Sequence, residues 1–158
     1  MNNQLEEKIK WQNINSSKEK GKILSGNIIA IETEKMNGKD ISCAIVDFKG
    51  IKVIIPATEM SKDGKNDKKL LRNMMGAQIK FIIVEIDKIA EKAVASRNGA
   101  LERIKEINFK KLQINDKVYS KVIGIWKKYL RIECMGMDFV MKAQDLEYRI
   151  CRRCIENI

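Results

Sequence analysis

Short isoleucine-rich segments, separated by turn signals at nearly regular spacing, are the feature that most constrains how this chain folds. Asn37-Gly38, Lys49-Gly50 and Pro56 lie at or near their ends. Runs of β-branched residues bounded by glycine, proline and polar residues predict strands. The five predicted strands are 22–32, 41–48, 51–56, 77–87 and 93–96, and the polar residues 33–40 are predicted to form a loop. Five short strands in succession favour a small closed barrel.

The pattern changes after residue 97. Residues 98–112 combine strong helix formers with Leu101 and Ile104 on one side, which predicts a helix within a connecting segment, 98–113. Three more predicted strands follow it, at 114–126, 129–136 and 137–143. Apolar residues recur at helical spacing in the last segment, which predicts an amphipathic helix over 146–158.

Two polar stretches lie beside these elements. Residues 1–20 are predicted to be a mobile tail or a short helix, because Leu5, Ile9 and Trp11 are too few apolar residues to hold it firmly. Residues 57–69 are predicted to form a basic loop, and a helical turn is predicted over 68–74.

An internal repeat divides the chain into two units. GIKVIIPATEM (50–60) aligns without a gap with GMDFVMKAQDL (136–146), and GKILSGNIIAI (21–31) aligns with NDKVYSKVIGI (115–125). Two copies in the same order indicate tandem units. The domain boundaries are therefore a tail at 1–20, a first unit at 21–97, the connection at 98–113 and a second unit at 114–158.

The order of these motifs resembles consecutive domains of the S1 RNA-binding family, known from the tandem repeats of bacterial ribosomal protein S1. Val46-Asp47, Gly50, Ile55-Pro56-Ala57-Thr58, Glu85-Ile86-Asp87 and Ala95-Ser96-Arg97 occupy the family's characteristic places, over about 21–146. The resemblance implies a mainly β protein. Its first unit would be an OB-fold barrel of five strands, whose face and loops bind single-stranded RNA. A linker helix and an incomplete second S1-like unit with a C-terminal helix would follow.

The chain departs from the family in two ways. Family members place aromatic residues on the second and third strands, where this chain has Ile45 and Ile54 in the first unit, and Arg131 and Val140 in the second. Because aromatic stacking contributes about 1–3 kcal/mol per base, the first unit is expected to bind RNA weakly. The second unit also ends after three strands. The tail helix, the first unit or a second copy of the chain could cover its open side.

Charge narrows the range of functions. The chain has 31 Lys and Arg and 21 Asp and Glu, which gives a net charge of +10, and it contains no His. The charge favours polyanionic partners, nucleic acid first. The lack of His excludes serine–histidine and cysteine–histidine catalysis and every His-ligated metal site. The polar first 20 residues and the four cysteines are typical of a cytoplasmic protein with reduced thiols, and no apolar run predicts a membrane span.

The candidate RNA-binding residues form a basic set and an aromatic set. If Lys127-Lys128 is a two-residue turn, Trp126 and Tyr129 face each other and make a small stacking platform. A wider loop, an aromatic pair that only stabilises the sheet, and a solvated lysine loop are the alternatives. The predicted site residues are Lys52, Lys68, Lys69, Arg72, Trp126, Lys127, Lys128, Tyr129, Arg131 and Phe139, with Lys62 and Lys65 beside them.

Two other motifs suggest different chemistry. Cys151 and Cys154 have the spacing of a zinc or redox pair, but both fall on the apolar stripe of the predicted last helix, which favours core packing. Glu85 and Asp87 could form an acid pair, although they match a structural feature at a strand end in the S1 family. No metal, cofactor or catalytic residue is predicted.

The sequence therefore predicts a non-enzymatic, cytoplasmic protein that binds single-stranded RNA, with the ribosome or a messenger RNA as its context. The alternative is a protein-interaction module, with a protein partner or a homodimer, that docks through an exposed patch at Ile45 and Ile54. A hydrolase or nuclease is not favoured, because the chain has neither His nor a P-loop.

Overall fold

A computed structural model describes residues 2–145. The predicted helix over 146–158, with Cys151 and Cys154, lies outside the described residues. The helices are α1 (Asn2–Lys20), α2 (Lys68–Asn73) and α3 (Arg97–Phe109). The strands are β1 (Leu24–Met36), β2 (Lys39–Phe48), β3 (Ile51–Pro56), β4 (Gln78–Asp87), β5 (Lys92–Ser96), β6 (Lys121–Trp126), β7 (Tyr129–Cys134) and β8 (Met137–Lys142). Short 3-10 turns follow β3 and β8, at Ala57–Glu59 and Ala143–Asp145.

The first five strands form a closed barrel in the order β1-β2-β3-β5-β4. Only β3 and β5 pair in parallel, and the other neighbours are antiparallel. The interior is aliphatic, with Phe81 as its one fully buried aromatic ring among the described residues. The fold is therefore mainly β, as predicted, with a five-stranded sheet and a separate three-stranded sheet.

Two-residue turns connect the first three strands. Asn37 and Gly38 both have positive φ, as do Lys49 and Gly50, which is the backbone of a tight hairpin turn. The predicted loop over 33–40 is therefore wrong, since β1 and β2 run through it and pair up to Met36 and Lys39. The Asn-Gly turn sets the register of the β1–β2 hairpin. The end of this hairpin is polar because its side chains do not have to fill the barrel interior.

The N-terminal segment is a 19-residue helix rather than a loose tail. Ile14 is fully buried in the barrel core, and the Ser17 hydroxyl accepts a hydrogen bond of 2.9 Å from the backbone N–H of Ile83. These two residues are three apart and so lie on one helical face. Leu5 and Ile9, from which a weak attachment was predicted, are exposed. Trp11 is partly buried and packs against the same core, so the helix is held by Ile14, Trp11 and the Ser17 contact.

The second unit is a three-stranded antiparallel sheet in the order β6-β7-β8. The predicted strand over 114–126 begins only at Lys121, because residues 114–120 have no pairing partner among the described strands. Ile114 and Tyr119, which suggested a strand, are almost fully exposed.

Two glycines let this sheet dock on the first unit. Gly136, in the β7–β8 turn, lies so close to α3 that an added Cβ would be 2.2 Å from the Leu101 carbonyl oxygen. Gly124 on β6 lies against the end of α2, where an added Cβ would be 3.0 Å from the Asn73 carbonyl oxygen. The second sheet therefore packs backbone-to-backbone against both helices.

Replacing Gly136 with alanine tests this docking. We expect Gly136→Ala to lower the free energy of unfolding by about 1–3 kcal/mol more than Gly38→Ala, because only Gly136 adds a clash to the strain of positive φ. Gly38 has a similar φ, 77° against 83°, and nothing lies within 4 Å of its added Cβ. Urea denaturation of both variants measures the difference, and equal losses would mean that the sheet does not dock here.

Across residues 2–145, no helix combines the length and the apolar character needed to cross a bilayer.

Candidate nucleic-acid interface

The tip of the β6–β7 hairpin carries a stacked aromatic pair. Trp126 and Tyr129 are direct cross-strand partners, with ring centroids 5.9 Å apart and ring planes 27° from parallel. The two-residue turn at Lys127-Lys128 and the facing of the two rings are therefore confirmed. Lys127 takes a positive φ of 52°, the strain that made a wider loop an alternative. Tyr129 is exposed and Trp126 half-buried, so the pair presents ring surface to solvent.

Lysines surround this pair on two sides. Lys127 and Lys128 are exposed in the turn itself, and the exposed Lys142 on β8 pairs with Tyr129. Lys142 was not among the predicted residues, although placing the β7–β8 turn at Gly136 would have located it opposite Tyr129. We call Trp126, Tyr129, Lys127, Lys128 and Lys142 the hairpin platform.

Helix α2 presents the second group of cations. The Asp67 side chain caps the helix by accepting hydrogen bonds of 2.9 Å from Lys69 N and 3.3 Å from Leu70 N. Leu70 and Leu71 are buried, so Lys68, Lys69 and Arg72 are left exposed. We call these three residues the α2 cations. The Asp67 cap and the buried Leu70 and Leu71 hold α2 in place and so fix the positions of these cations.

Tertiary packing brings the α2 cations and the hairpin platform to neighbouring elements. The close approach of Gly124 to the Asn73 carbonyl puts the end of α2 beside β6, two residues before Trp126. At the start of the same strand, Lys121 donates hydrogen bonds to the backbone and side chain of Gln78. Two groups about 55 residues apart in the sequence therefore lie on neighbouring elements.

Arg131 is not free to bind a phosphate, because its guanidinium is already paired with a carboxylate. Its Nη1 donates to Asp138 Oδ2 at 2.9 Å, and only 15% of its side chain is exposed. Asp138 also accepts from Arg97 at 2.7 Å, and Arg97 donates to Glu133 at 2.9 Å. Arg131 thus belongs to a buried ion-pair network of two arginines and two carboxylates, which joins α3 to the second sheet.

Lys52 is also engaged, on the outer face of the barrel. It reaches across β2 to β1, where it donates to Glu32 and lies 3.6 Å from Glu34. The hydrogen bond to Glu32 raises the pKa of the Lys52 ammonium. With two carboxylates around it, Lys52 is poorly placed to contact a phosphate.

The outer barrel face does not expose the predicted apolar docking patch. Ile45 and Ile54 are 4% and 5% exposed, and they pack with Cys43 and the partly buried Ala30, Met36 and Ile41. Burial raises the pKa of the Cys43 thiol to about 11, so this thiol stays protonated. The expected exposure of the two isoleucines is therefore wrong.

Phe139 is exposed on β8, as a stacking residue should be, but it lies apart from the hairpin platform. It pairs with Ile132, and Tyr129 is an odd number of residues away on the same strand. Because strand side chains alternate, Phe139 and Tyr129 point to opposite faces of the sheet.

A comparison of the sequence with protein-family models and with curated proteins finds no match.

Among the described residues, no group of three or more Cys, Asp and Glu side chains is close enough to hold a metal ion.

Proposed function

We propose that this protein binds single-stranded RNA without acting on it chemically, and that its barrel is an S1-like OB fold. The five-stranded closed barrel supports the second part, because it is the architecture that the S1 resemblance implies. The net charge of +10 supports the first, because a polyanion gains affinity from every neutralised phosphate.

The observation that carries the proposal is the hairpin platform. A base can stack on the exposed face of the Trp126–Tyr129 pair while its phosphates lie near Lys127, Lys128 and Lys142. Stacking on an aromatic side chain contributes about 1–3 kcal/mol per base and tolerates any sequence. The α2 cations extend the basic surface along β6, in the direction that an RNA chain leaving the platform could follow. In this proposal the second unit supplies the stacking surface, and the first unit contributes the α2 cations.

Binding of a fluorescent single-stranded RNA of about 12–20 nucleotides, titrated at several salt concentrations, tests the proposal. We expect the double variant Trp126→Ala/Tyr129→Ala to lose roughly tenfold or more in affinity, since it removes the stacking surface. Lys62→Gln/Lys65→Gln should lose less and should mainly flatten the salt dependence.

Phe109→Ala is the control for loss of an exposed aromatic ring, because Phe109 lies on α3 and outside the platform. It should bind like the parent protein. An unchanged affinity of the double variant would rule out the platform. Binding that disappears with salt and treats RNA and duplex DNA alike would mean that charge alone attracts the nucleic acid.

The protein-interaction alternative loses its main support with the burial of Ile45 and Ile54. The ribosome or messenger-RNA context, a homodimer and the cytoplasmic location stay predictions.

A further inference from the structure

A cavity of about 240 Å³ lies where the second sheet meets the first unit. Asn98 and Leu101 of α3 line one side, and Arg131, Asp138 and Val140 of the second sheet line the other. Lys62 and Asp63, from the loop after β3, border it on the solvent side together with Phe139. The cavity is thus built from parts of both units and exists only because they dock.

Unpaired polar atoms concentrate at this cavity. Within the described part of the chain, the buried side-chain nitrogen and oxygen atoms without a hydrogen-bond partner are Arg97 Nε, Asn98 Oδ1, Arg131 Nε and Asp138 Oδ1. Three of these four residues line the cavity, and the fourth donates to Asp138. A buried polar atom without a partner raises the free energy of the folded protein, and a ligand that pairs with it removes that cost.

The hydrogen bonds that these side chains already make determine which of their atoms have no partner. Asn98 Nδ2 donates to the Ser61 carbonyl at 2.9 Å, so its Oδ1 is the unpaired end. Asp138 Oδ2 accepts from both Arg97 and Arg131, which leaves Oδ1. The residues that line the cavity therefore hold two unpaired acceptors, Asn98 Oδ1 and Asp138 Oδ1, and one unpaired donor, Arg131 Nε–H, all of them buried.

The charges around the cavity do not favour a phosphate. Lys62 and Arg131 are balanced by Asp63 and Asp138. A hydrogen bond from Ser61 lowers the pKa of Asp63, which keeps its carboxylate charged. The apolar side chains of Leu101 and Val140 suit a flat, uncharged ligand, as in pockets that hold an unstacked base.

Guanine is the base whose pairing edge matches the unpaired atoms. It presents one acceptor, O6, and two donors, N1–H and the N2 amino group, whereas adenine, cytosine and uracil each present a single donor group on that edge. We infer that this cavity binds one guanine base of a single-stranded RNA, with O6 near Arg131 Nε and the two donors near Asp138 Oδ1 and Asn98 Oδ1. The inference rests on the proposed function and adds base selectivity to it.

The position of the cavity fits an RNA that also contacts the hairpin platform. Arg131 follows Tyr129 by two residues on β7, a distance of about 7 Å along a strand. An RNA chain that leaves the platform therefore reaches the cavity within a few nucleotides. The unpaired atoms are buried in the unliganded protein, so the inference requires that the exposed side chains at the mouth of the cavity, Lys62 and Asp63, move aside when a base enters.

An oligouridine of about 12 nucleotides with one central guanosine tests the inference against the same RNA with adenosine, cytidine or uridine there. We expect the guanosine form to bind about tenfold more tightly. Inosine at that position lacks the N2 amino group and should lose about threefold or more of this gain.

Val140→Trp, which fills the cavity from its edge, should abolish the preference for guanosine and leave binding of oligouridine unchanged. Val122→Trp is the matched control, because Val122 is on the same sheet, is 44% exposed against 45% for Val140, and does not line the cavity. It should keep the preference.

A separate titration with guanosine 5′-monophosphate, followed by NMR of the Asn98 side-chain amide, tests the cavity without a polymer. A shift with this nucleotide and none with adenosine 5′-monophosphate supports the guanine site, even if no oligonucleotide binds and the RNA proposal fails. Oligonucleotides that bind equally well whatever the central base would overturn the guanine site and leave the RNA proposal standing. Loss of the preference in both tryptophan variants would also overturn it.

Discussion

Arg97→Leu is expected to lower the free energy of unfolding by about 3–5 kcal/mol. Arg97 is fully buried, and its guanidinium donates to Asp138, to Glu133 and, at 2.5 Å, to the Met60 carbonyl. Removing it leaves Glu133 without this cation and leaves Asp138 with Arg131 alone. Leaving a buried carboxylate without its cation lowers the free energy of unfolding by far more than the intact ion pair had added to it.

Urea denaturation followed by circular dichroism measures this loss. Arg72→Leu is the matched control, because Arg72 is an exposed arginine on α2, and it should change stability by less than about 0.5 kcal/mol. A second variant, Arg97→Met/Arg131→Met/Glu133→Leu/Asp138→Leu, removes all four charges of the network together and should regain most of the lost stability. If Arg97→Leu behaved like Arg72→Leu, the ion-pair network would not hold the two units together.

Ile14→Ala is expected to lower the free energy of unfolding by about 2–5 kcal/mol, because it opens a cavity in the barrel core. Ile14 is completely buried among core residues, although it belongs to the helix that precedes the barrel. The large effect would show that α1 is part of the folding unit.

The control for this prediction comes from the same helix. Ile9→Ala is the same chemical change five residues earlier, and Ile9 is 41% exposed. Its expected loss is below about 0.5 kcal/mol. Similar small losses in both variants would mean that α1 is only loosely associated with the barrel, as the sequence suggested.

The elements that the sequence predicted well are those determined by neighbouring residues. The predicted bounds of β3 are those observed, and β4 differs by one residue. Both are rich in β-branched residues and end at a proline or a turn. The opposed positions of Trp126 and Tyr129 were also predictable, since a two-residue turn sets the register of a hairpin without any distant contact.

Apart from the loop predicted over 33–40, which is a local hairpin, the predictions that failed depended on contacts between distant parts of the chain. The apolar stripe of α1 looked weak in the sequence because its contacts, by Ile14 and the partly buried Trp11, form only with the finished barrel. The burial of Ile45 and Ile54 depends on packing with Ala30 and Met36 of β1, a contact that no local pattern indicates. Residues 114–120 had strand-like composition but find no strand to pair with within residues 2–145.

The sequence by itself determined the mainly β class, the strand order along the chain, the hairpin turns and the facing aromatic pair. Each of these follows from side-chain alternation and turn chemistry over a few residues. Only the tertiary structure decided which cations are exposed, because Arg131 and Lys52 are neutralised by partners from other elements. It also decided that the α2 cations lie beside the hairpin platform, since that depends on the backbone contact at Gly124 between chain segments that fold separately.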